Sequence, residues 1–260
     1  VLQVERHEEL AERAESNRTA VVPIVPNRGQ ILDRNGVVLA TNYSAYTLEI
    51  TRAKVTDLEE TIDELSQLIE ITARDRRKFK RLMDDSKSFE SIPIRSRLSD
   101  EEVARFAAQR SRFPGVDVKA RLFRTYPQRD IASHIVGYIS RINEREKEEI
   151  EDWEDSSNYR GTEVIGKVGV EKSYEKALHG QTGWEEMETS AGGHAVRKLG
   201  SRPATPGESL VLSVDIKLQK MVEDLFGERR GVAIAMDPRN GELLATVSKP
   251  TFDPNLFVGG

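Results

Sequence analysis

Hydrophobic residues recur with helical spacing in several short segments of the chain. One face of the segment 58–69 carries the apolar residues Leu58, Ile62, Leu65, Leu68 and Ile69. Thr56 and Glu59 have the spacing of a capping box, which predicts that a helix begins directly after Thr56. A second helix is predicted from Thr72 to about Met83. The first of these helices is expected to bury its apolar stripe against a sheet or another helix.

Capping residues and alternating patterns predict further elements. Ser99–Glu102 and Asn143–Glu146 each have the spacing of a helix cap, so helices are predicted to follow Ser99 and Asn143. Other helices are predicted at 130–140, 166–180 and 216–226. The expected anchors of the helix at 166–180 are Val168, Tyr174 and Leu178, with Gly180 directly after its end. Strands are predicted at 45–50, 88–95, 116–126, 184–189, 195–199 and 209–215.

Two β-hairpins are predicted from their turn residues. In the first, Asn35 and Gly36 separate two apolar runs, and both tolerate the positive φ of a two-residue type I′ turn. The second spans 231–248 and turns at D-P-R-N-G, residues 237–241. Its strands are apolar on both faces, which is typical of the middle of a covered sheet. Few residues follow it, so we expect this hairpin to be disordered, exchanged between chains or covered by a partner.

The composition indicates a folded α+β protein and argues against several classes. The 260 residues are 37% hydrophobic, enough for a sizeable core. The 39 basic and 44 acidic residues are interspersed and leave a net charge of -5, so no basic stripe points to nucleic acid. Cysteine is absent, which excludes disulfides and thiol nucleophiles. No apolar run reaches the ~20 residues of a membrane span. Val1 is expected to lie inside a longer protein.

Three patterns resemble reactive or binding sites but lack the partners that such sites need. Ser173 and Lys176 have the S-x-x-K spacing of a serine nucleophile, but an S-x-N sequence at 156–158 precedes them and K-T-G or K-S-G does not occur. Residues 161–167 fit G-x-x-x-x-G-K, but Val168 replaces the hydroxyl that would hold Mg²⁺. The histidines at His7, His134, His179 and His194 are isolated. We therefore predict no catalytic, cofactor or metal site in this chain.

Five stretches in sequence order resemble the characteristic blocks of class B penicillin-binding proteins, the transpeptidases that cross-link peptidoglycan. They are R-G-Q-I-L-D-R-N-G at 28–36, R-F-P-G-V at 112–116, Y-P at 126–127 with H-I-V-G-Y at 134–138, G-V-E-K-S-Y-E-K-A-L-H-G at 169–180, and D-P-R-N-G-E-L-L-A at 237–245. The resemblance covers essentially the whole chain and is strongest to the elongation-specific transpeptidases of rod-shaped Gram-negative bacteria. It implies a structural role for Arg28, Gly29, Asp33, Arg34, Asn35, Gly36, Gly169 and Glu171.

The resemblance also implies an architecture. The fold class is expected to be α+β, an elongated and multi-lobed pedestal with short β-hairpins and amphipathic helices, followed by the first strands and helix of a truncated transpeptidase domain. The implied divisions are a membrane-proximal helix at 1–20, a dimerisation or pedestal domain at 21–207 with an anchor or head lobe at about 48–118, and the incomplete transpeptidase domain at 208–260. The single membrane helix and the acylating serine of such proteins are expected to lie outside this sequence.

The function that the resemblance implies is binding rather than catalysis. This non-catalytic pedestal would lie on the periplasmic side of the bacterial inner membrane. There it would dock and regulate a rod-shape scaffold protein and a membrane glycosyltransferase during cell-wall elongation, with no cofactor and no nucleic acid. Two alternatives stay open. One is a competent serine D,D-transpeptidase whose catalytic part is supplied outside this chain. The other is nucleotide binding through residues 161–167.

Overall fold

The chain divides into two compact units whose segments interleave along the sequence. The computed structural model describes residues 19–84, 86, 90–189 and 195–258. Unit 1 contains the described residues of 19–22, 44–122 and 185–201, and unit 2 contains those of 23–43, 123–184 and 202–258. Across the described residues, we find no helix with the length and apolar character needed to span a bilayer.

Helices and small sheets alternate through both units, which confirms the predicted α+β class. The strands are β1 (Thr19–Ile24), β2 (Ile31–Leu32), β3 (Val38–Thr51), β4 (Ser91–Leu98), β5 (Val116–Thr125), β6 (Tyr138–Arg141), β7 (Val164–Val168), β8 (Gly183–Thr189), β9 (Ala195–Arg202), β10 (Leu210–Val211), β11 (Gly231–Met236) and β12 (Leu243–Lys249). The α-helices are α1 (Leu58–Leu65), α2 (Ala73–Asp84), α3 (Asp100–Gln109), α4 (Ser133–Val136), α5 (Glu144–Glu151), α6 (Gly169–Ser173), α7 (Glu175–His179) and α8 (Ile216–Phe226). Short 3-10 turns lie at Arg52–Lys54, Arg110–Arg112, Ser156–Tyr159 and Pro254–Leu256.

In unit 1, helices α1, α2 and α3 pack on one face of a sheet. β4 pairs antiparallel with β3, from Thr51↔Ser91 to Tyr46↔Leu98, and β5 also pairs with β3. Alternate residues of these strands join the helices in a core of Leu48, Ile50, Ile62, Leu65, Ile69, Phe79, Ile92, Ile94, Leu98, Phe106, Phe113 and Val116. A separate three-stranded sheet has the order β1-β8-β9. From the sequence, Gly192 and Gly193 are expected to form the turn between β8 and β9, and both lie outside the described residues.

Two of the predicted capping boxes are present. Glu102 N donates to Ser99 Oγ at 3.2 Å, and Ser99 N donates to Glu102 Oε2 at 2.8 Å. Glu146 N donates to Asn143 Oδ1 at 2.9 Å, and Asn143 N donates to Glu146 Oε2 at 2.9 Å. Each pair satisfies two amide groups that have no partner within the helix, so residues within the first turn stabilise the starts of α3 and α5.

The capping box predicted at Thr56 was wrong. α1 begins at Leu58, and Asp57 is its cap, with Oδ1 accepting a hydrogen bond from Glu60 N at 2.9 Å. A carboxylate caps at least as well as a threonine hydroxyl and also interacts favourably with the helix dipole, so the residue after Thr56 takes the position. The second predicted helix is confirmed as α2, directly after Thr72.

Unit 2 is built around the short strand β2. β2 pairs antiparallel with the start of β3, with Ile31 opposite Ala40, and parallel with β10, with Leu210 opposite Ile31. β10 is much shorter than the strand predicted at 209–215. β6 and β7 form a separate antiparallel pair. The main core consists of Ile31, Leu39, Ala40, Tyr126, Ala132, Val136, Leu178 and Ile216, and a smaller one of Ile150, Tyr159 and Ile165. The core therefore joins segments from the beginning, middle and end of the chain.

Two helix predictions in unit 2 were wrong in extent. Within 130–140 only α4 is helical, because Gly137 follows with φ of +76° and the chain then pairs as β6. Within 166–180 the chain forms the end of β7, then α6 and α7 with Tyr174 between them. Of the predicted anchors, Val168 and Tyr174 are exposed and Leu178 is buried. Gly180 follows α7 as predicted, with φ of +84°.

The predicted hairpin at 231–248 is confirmed as β11 and β12, and the predicted helix at 216–226 is confirmed as α8. The expectation that the sequence supplies no cover for this hairpin was wrong for one of its faces. α8 packs on β12, where Ala245 and Val247 are buried. The Gln219 side chain of α8 donates to Thr246 O and accepts from Thr246 N, each at 2.8 Å. Helix α8, which precedes the hairpin in the sequence, therefore covers one of its faces. This cover was not expected, because only the few residues after the hairpin were considered.

The other face of this hairpin remains apolar and exposed. The β11 side chains Val232, Ile234 and Met236 are 65%, 61% and 57% exposed. They alternate with half-buried residues, as expected for a strand with one covered face. The D-P-R-N-G turn closes with Gly241 N donating to Asp237 O at 2.8 Å.

Candidate functional site

The segment R-G-Q-I-L-D-R-N-G contains a three-residue turn, so the predicted two-residue type I′ turn was wrong. Asp33 N donates to Val37 O at 2.9 Å, and Gly36 N donates to Asp33 O at 3.0 Å. Gly36 has φ of +80°, whereas Asn35 is not among the described residues with positive φ. Asp33 Oδ1 accepts from Asn35 N and Val37 N at 2.8 Å each. This side-chain capping favours a longer turn that needs only one left-handed residue.

The second carboxylate oxygen of Asp33 connects this turn to the start of α8. Asp33 is buried, and its Oδ2 accepts from Ile216 N at 3.1 Å. The neighbouring Arg34 N donates to Val214 O at 3.0 Å, and the Arg34 guanidinium lies 3.5 Å from Glu242. Burial alone would raise the pKa of Asp33, but its backbone N–H donors outweigh that effect and hold the pKa below the usual value. Asp33 is therefore an ionised anchor.

Arg28 forms paired contacts with two glutamates at the α6–α7 corner. Its Nε donates to Glu171 Oε2 at 2.7 Å, and its Nη2 donates to the Glu171 backbone O at 2.9 Å. Glu175 is held through both oxygens, at 3.1 Å from Nη1 and 2.7 Å from Nη2. Glu175 Oε2 also accepts from Gly166 N at 2.9 Å. A planar guanidinium matches carboxylates in this two-point geometry.

A second arginine reaches the same glutamate from the end of β5. Arg124 Nε donates to Glu171 Oε1 at 2.8 Å, and its Nη1 donates to Gly29 O at 2.7 Å. The Tyr126 hydroxyl donates to the same Glu171 oxygen at 3.1 Å and accepts from Ile139 N at 2.9 Å. Glu171 thus holds two cations and a hydroxyl at once.

Arg28, Arg124, Tyr126, Glu171 and Glu175 form what we call the buried ion-pair network. Its two cations and two carboxylates balance in charge, and Glu171 is completely buried. Burial disfavours the charged form of Arg28, but the two glutamates outweigh it and raise its pKa. Burial, followed by the charge of Glu171, raises the pKa of Tyr126, which stays protonated. Every carboxylate oxygen has a donor, so the arrangement fixes positions and leaves no carboxylate free for acid–base chemistry.

Two of the glycines named from the sequence allow close backbone approach. A Cβ on Gly29 would lie 1.9 Å from Glu208 O. Gly169 has φ of +63°, and a Cβ there would lie 2.5 Å from Ile135 O. By contrast, a Cβ on Gly36 would meet nothing within 4 Å, so its requirement is the left-handed conformation alone.

Ser173 and Lys176 do not share one continuous helix, because α6 ends at Ser173 and Tyr174 interrupts the path to α7. The Lys176 ammonium lies 3.0 Å from Asp155 Oδ1 and 5.3 Å from the centre of the Trp153 ring. Ser173 itself is exposed. This geometry does not place the lysine as a general base for the serine.

Residues 161–167 do not form a phosphate-binding loop. Val164–Val168 is the strand β7, where such a site requires a loop of successive free amides leading into a helix. Gly166 N is already bonded to Glu175, and the Lys167 ammonium contacts Glu146.

The two histidines within the described residues, His134 and His179, lie in different environments. His179 is buried, stacks on Tyr159 at 4.4 Å between ring centres, and lies 2.8 Å from Thr162 Oγ1 through Nε2. Burial lowers its pKa. His134 is exposed and lies 2.9 Å from Pro250 O. His7 and His194 lie outside the described residues. Within those residues, no group of three or more possible metal-ligating side chains comes together.

Sequence reasoning placed Arg28 and Glu171 among the motif residues but missed Arg124, Tyr126 and Glu175. Glu175 could have been found, because it follows Glu171 by four residues, the spacing of one helical face. Arg124 and Tyr126 are two apart on a predicted strand, which places them on the same face. Nothing local signals that these faces meet, since Arg28 and Glu171 are separated by 143 residues.

Comparison with known proteins defines the class. Residues 23–212 match the penicillin-binding protein dimerisation domain, and the chain belongs to this family. The chain is 41% identical over 259 residues to the peptidoglycan D,D-transpeptidase MrdA of Escherichia coli K12 and 40% identical to MrdA of Acinetobacter baumannii. Each match covers 100% of this chain but only 41% and 38% of the relative, respectively. The chain thus spans less than half the length of these relatives.

A solved structure with the same fold is the complex between penicillin-binding protein 2 (PBP2) and MreC from Helicobacter pylori. The TM-score is 0.69 at 28% identity, and the match covers 93% of this chain and 44% of the other. PBP2 of Pseudomonas aeruginosa, in complex with WCK 5153, matches with a TM-score of 0.52 at 29% identity over 92% of this chain. The resemblance to penicillin-binding proteins that the sequence motifs indicate is thereby confirmed.

Proposed function

We propose that this chain is the non-catalytic pedestal of a peptidoglycan D,D-transpeptidase on the periplasmic side of the inner membrane. It docks and regulates partners in the assembly that elongates the cell wall. The observation that carries the proposal is the likeness, over nearly the whole chain, to a PBP2 solved together with MreC. A rod-shape scaffold protein of the MreC type is therefore the first partner. A membrane glycosyltransferase is the second, on the strength of the sequence resemblance.

The geometry of the motif residues supports a structural role for them. Arg28 and Glu171 bond to each other, and Asp33 bonds to backbone amides in two distant segments. Gly29 and Gly169 allow the close backbone contacts around them. Residues placed in this way hold a scaffold in one shape, which a docking module needs if its partner is to meet a preformed surface.

We also assign the domains as the sequence suggests. Residues 1–20 are the membrane-proximal segment, although 1–18 lie outside the described residues and Thr19 begins β1. Residues 21–207 are the pedestal, with its anchor or head lobe at about 48–118. Residues 208–260 open the transpeptidase domain. The exposed apolar residues Val232, Ile234 and Met236 support the last assignment, because a neighbouring layer of the longer relatives' catalytic domain would cover them.

A direct binding measurement tests the docking function. The purified chain is immobilised and exposed to the periplasmic region of the MreC-type protein from the same organism, with an unrelated acidic periplasmic protein as the control. We expect saturable binding to the first and none to the second. Absence of binding to the MreC-type protein would overturn the proposal.

Fluorescent penicillin tests the absence of catalysis in this chain. We expect no covalent labelling, since Lys176 is paired with Asp155. Labelling that disappears in Ser173→Ala would show that an acylating serine is present after all. A D,D-transpeptidase catalytic part supplied outside this chain would instead restore labelling only when that part is added.

A further inference from the structure

Helix α2 carries a concentration of positive charge that the chain as a whole does not show. Its residues, Ala73–Asp84, include six cationic and two acidic side chains, whereas the whole chain has a net charge of -5. The buried Phe79 and the half-buried Leu82 and Met83 pack one side of the helix on the core of unit 1. The apolar side therefore fixes the helix, and the charged residues occupy the rest of its surface.

Four of the cations lie on the outer side of α2. Arg77 and Arg81 are each two positions from Phe79, which is roughly 200° around the helix and therefore opposite the core. Arg74, three positions before Arg77, and Lys80, three positions after it, lie beside them. All four are exposed, and no carboxylate among the described residues forms an ion pair with any of them. We call these four side chains the cationic face of α2.

The helix beside α2 has the opposite charge. α1 contains four carboxylates and no cation, and Arg76 of α2 lies 2.6 Å from Asp63 and 3.9 Å from Glu59. Together the two helices hold six cations and six carboxylates. A flat anionic surface such as a membrane would interact with both helices, and opposite charges within about one screening length, 8 Å, largely cancel. The cationic face therefore suits a narrow anionic partner that lies along α2 alone.

A second copy of this chain offers few free carboxylates to the cationic face. Among the helices of the described residues, α1 and α5 are the most acidic. Most of their carboxylates already have a cationic partner, namely Glu59, Asp63 and Glu64 on α1, and Glu144, Glu146 and Glu149 on α5. The cationic face therefore favours a different chain.

We propose that the cationic face of α2 binds an acidic helix of the docking partner. Arg74, Arg77 and Arg81 follow one another at intervals of three and four residues, over about 10 Å of the helix axis. A partner helix with carboxylates at the same intervals keeps them on one side and brings each of them opposite a guanidinium. Arginine can then hold a carboxylate through two donors. This inference rests on the proposed docking function and gives it a surface and a chemistry.

Two helical peptides of identical composition test this inference. Each has about 20 residues of glutamate, alanine and glutamine, long enough to form a helix. In the first peptide the glutamates recur at intervals of three and four residues and so line one side. In the second they are distributed around the helix. We expect fluorescence anisotropy with the full 260-residue chain to show tighter binding of the first peptide, weakened by added salt.

Substitutions in the protein identify the site of binding. Arg77→Gln should weaken binding of the first peptide about two- to fivefold, the effect of one exposed ion pair, whereas Arg77→Lys should retain most of it. The double variant Arg74→Gln/Arg77→Gln should weaken binding further. Arg105→Gln is the matched control, because it removes an exposed cation from α3 in the same unit. It should leave binding unchanged.

The outcomes separate this inference from the docking function itself. Equal binding of the two peptides, no binding of either, or equal effects of Arg77→Gln and Arg105→Gln would each overturn the inference. Attachment to phosphatidylglycerol vesicles that the double variant abolishes would assign the face to a membrane and overturn it, as would a dimer that the double variant dissociates.

The MreC-type protein provides the remaining comparison. If it binds the chain and binds the double variant more weakly, while Arg105→Gln has no effect, the inference is supported. If it binds both with the same affinity, the docking function stands and the inference fails. If it does not bind at all, the docking function fails, and the two peptides still decide whether the cationic face recognises an acidic helix.

Discussion

Replacing Glu171 by glutamine removes one negative charge from the centre of the buried ion-pair network and keeps the shape of the side chain. Glu171 accepts from Arg28, Arg124 and Tyr126, and the substitution leaves two buried cations facing only Glu175. Breaking a buried ion pair by removing one partner costs about 3–5 kcal/mol. At about 2–4 °C per kcal/mol for a chain of this size, the unfolding midpoint of unit 2 should fall by about 6–20 °C.

Thermal unfolding followed by circular dichroism measures this shift, and Glu149→Gln is the matched control. Glu149 forms an exposed pair with Arg145 at 3.1 Å, where a change of less than about 1 kcal/mol is expected. The loss of stability in Glu171→Gln should persist in high salt, because interactions between buried charges are poorly screened. It should shrink when Arg124→Met is already present, because the two residues share one network. Equal effects of Glu171→Gln and Glu149→Gln would refute the reasoning.

Three further predictions concern other positions in unit 2. Gly29→Ala should lower the free energy of unfolding in urea by at least about 1–3 kcal/mol, because the new Cβ would collide with Glu208 O. Gly36→Ala should lower it by only about 1 kcal/mol, because the residue has a positive φ but open space around it. Equal losses would contradict this reasoning. Asp33→Asn should speed amide exchange at Ile216, since an amide nitrogen cannot accept that hydrogen bond, and unchanged exchange would argue against the anchor. Burial lowers the pKa of His179 below the unfolded value of about 6.5. The stability that neutral His179 contributes is therefore fully present above about pH 6.5 and is lost as the pH falls below it. His179→Gln should flatten the decline in stability between pH 7 and 5, and an unchanged slope would exclude His179 as its source.

Features set by short stretches of sequence were predictable. The capping boxes at Ser99 and Asn143, the helix at 216–226 and the hairpin at 231–248 all depend on residues within a few positions of one another. The same kind of local reasoning was wrong at Thr56, because Asp57, one residue later, is a competing cap. Local signals therefore predict the type of these elements more reliably than they predict the first residue of each.

Features set by distant contacts were not predictable. A helix at 130–140 is consistent with the local pattern, but β6 forms there because β7 is available to pair with it. The type I′ turn at Asn35 was wrong because the Asp33 carboxylate caps two amides of a longer turn. The family resemblance drew attention to Arg28 and Glu171 but could not give their contacts with Arg124 and Tyr126.

The contacts of Arg28 and Asp33 also limit when unit 2 can complete its folding during synthesis. Their partners Glu171 and Ile216 follow 143 and 183 residues later in the chain. At a synthesis rate of about 5–20 residues per second, Asp33 is synthesised roughly 10–40 s before Ile216. Until then the early segment carries an unpaired guanidinium and carboxylate beside a short apolar strand. Unit 2 therefore completes its folding only after residue 216 has emerged.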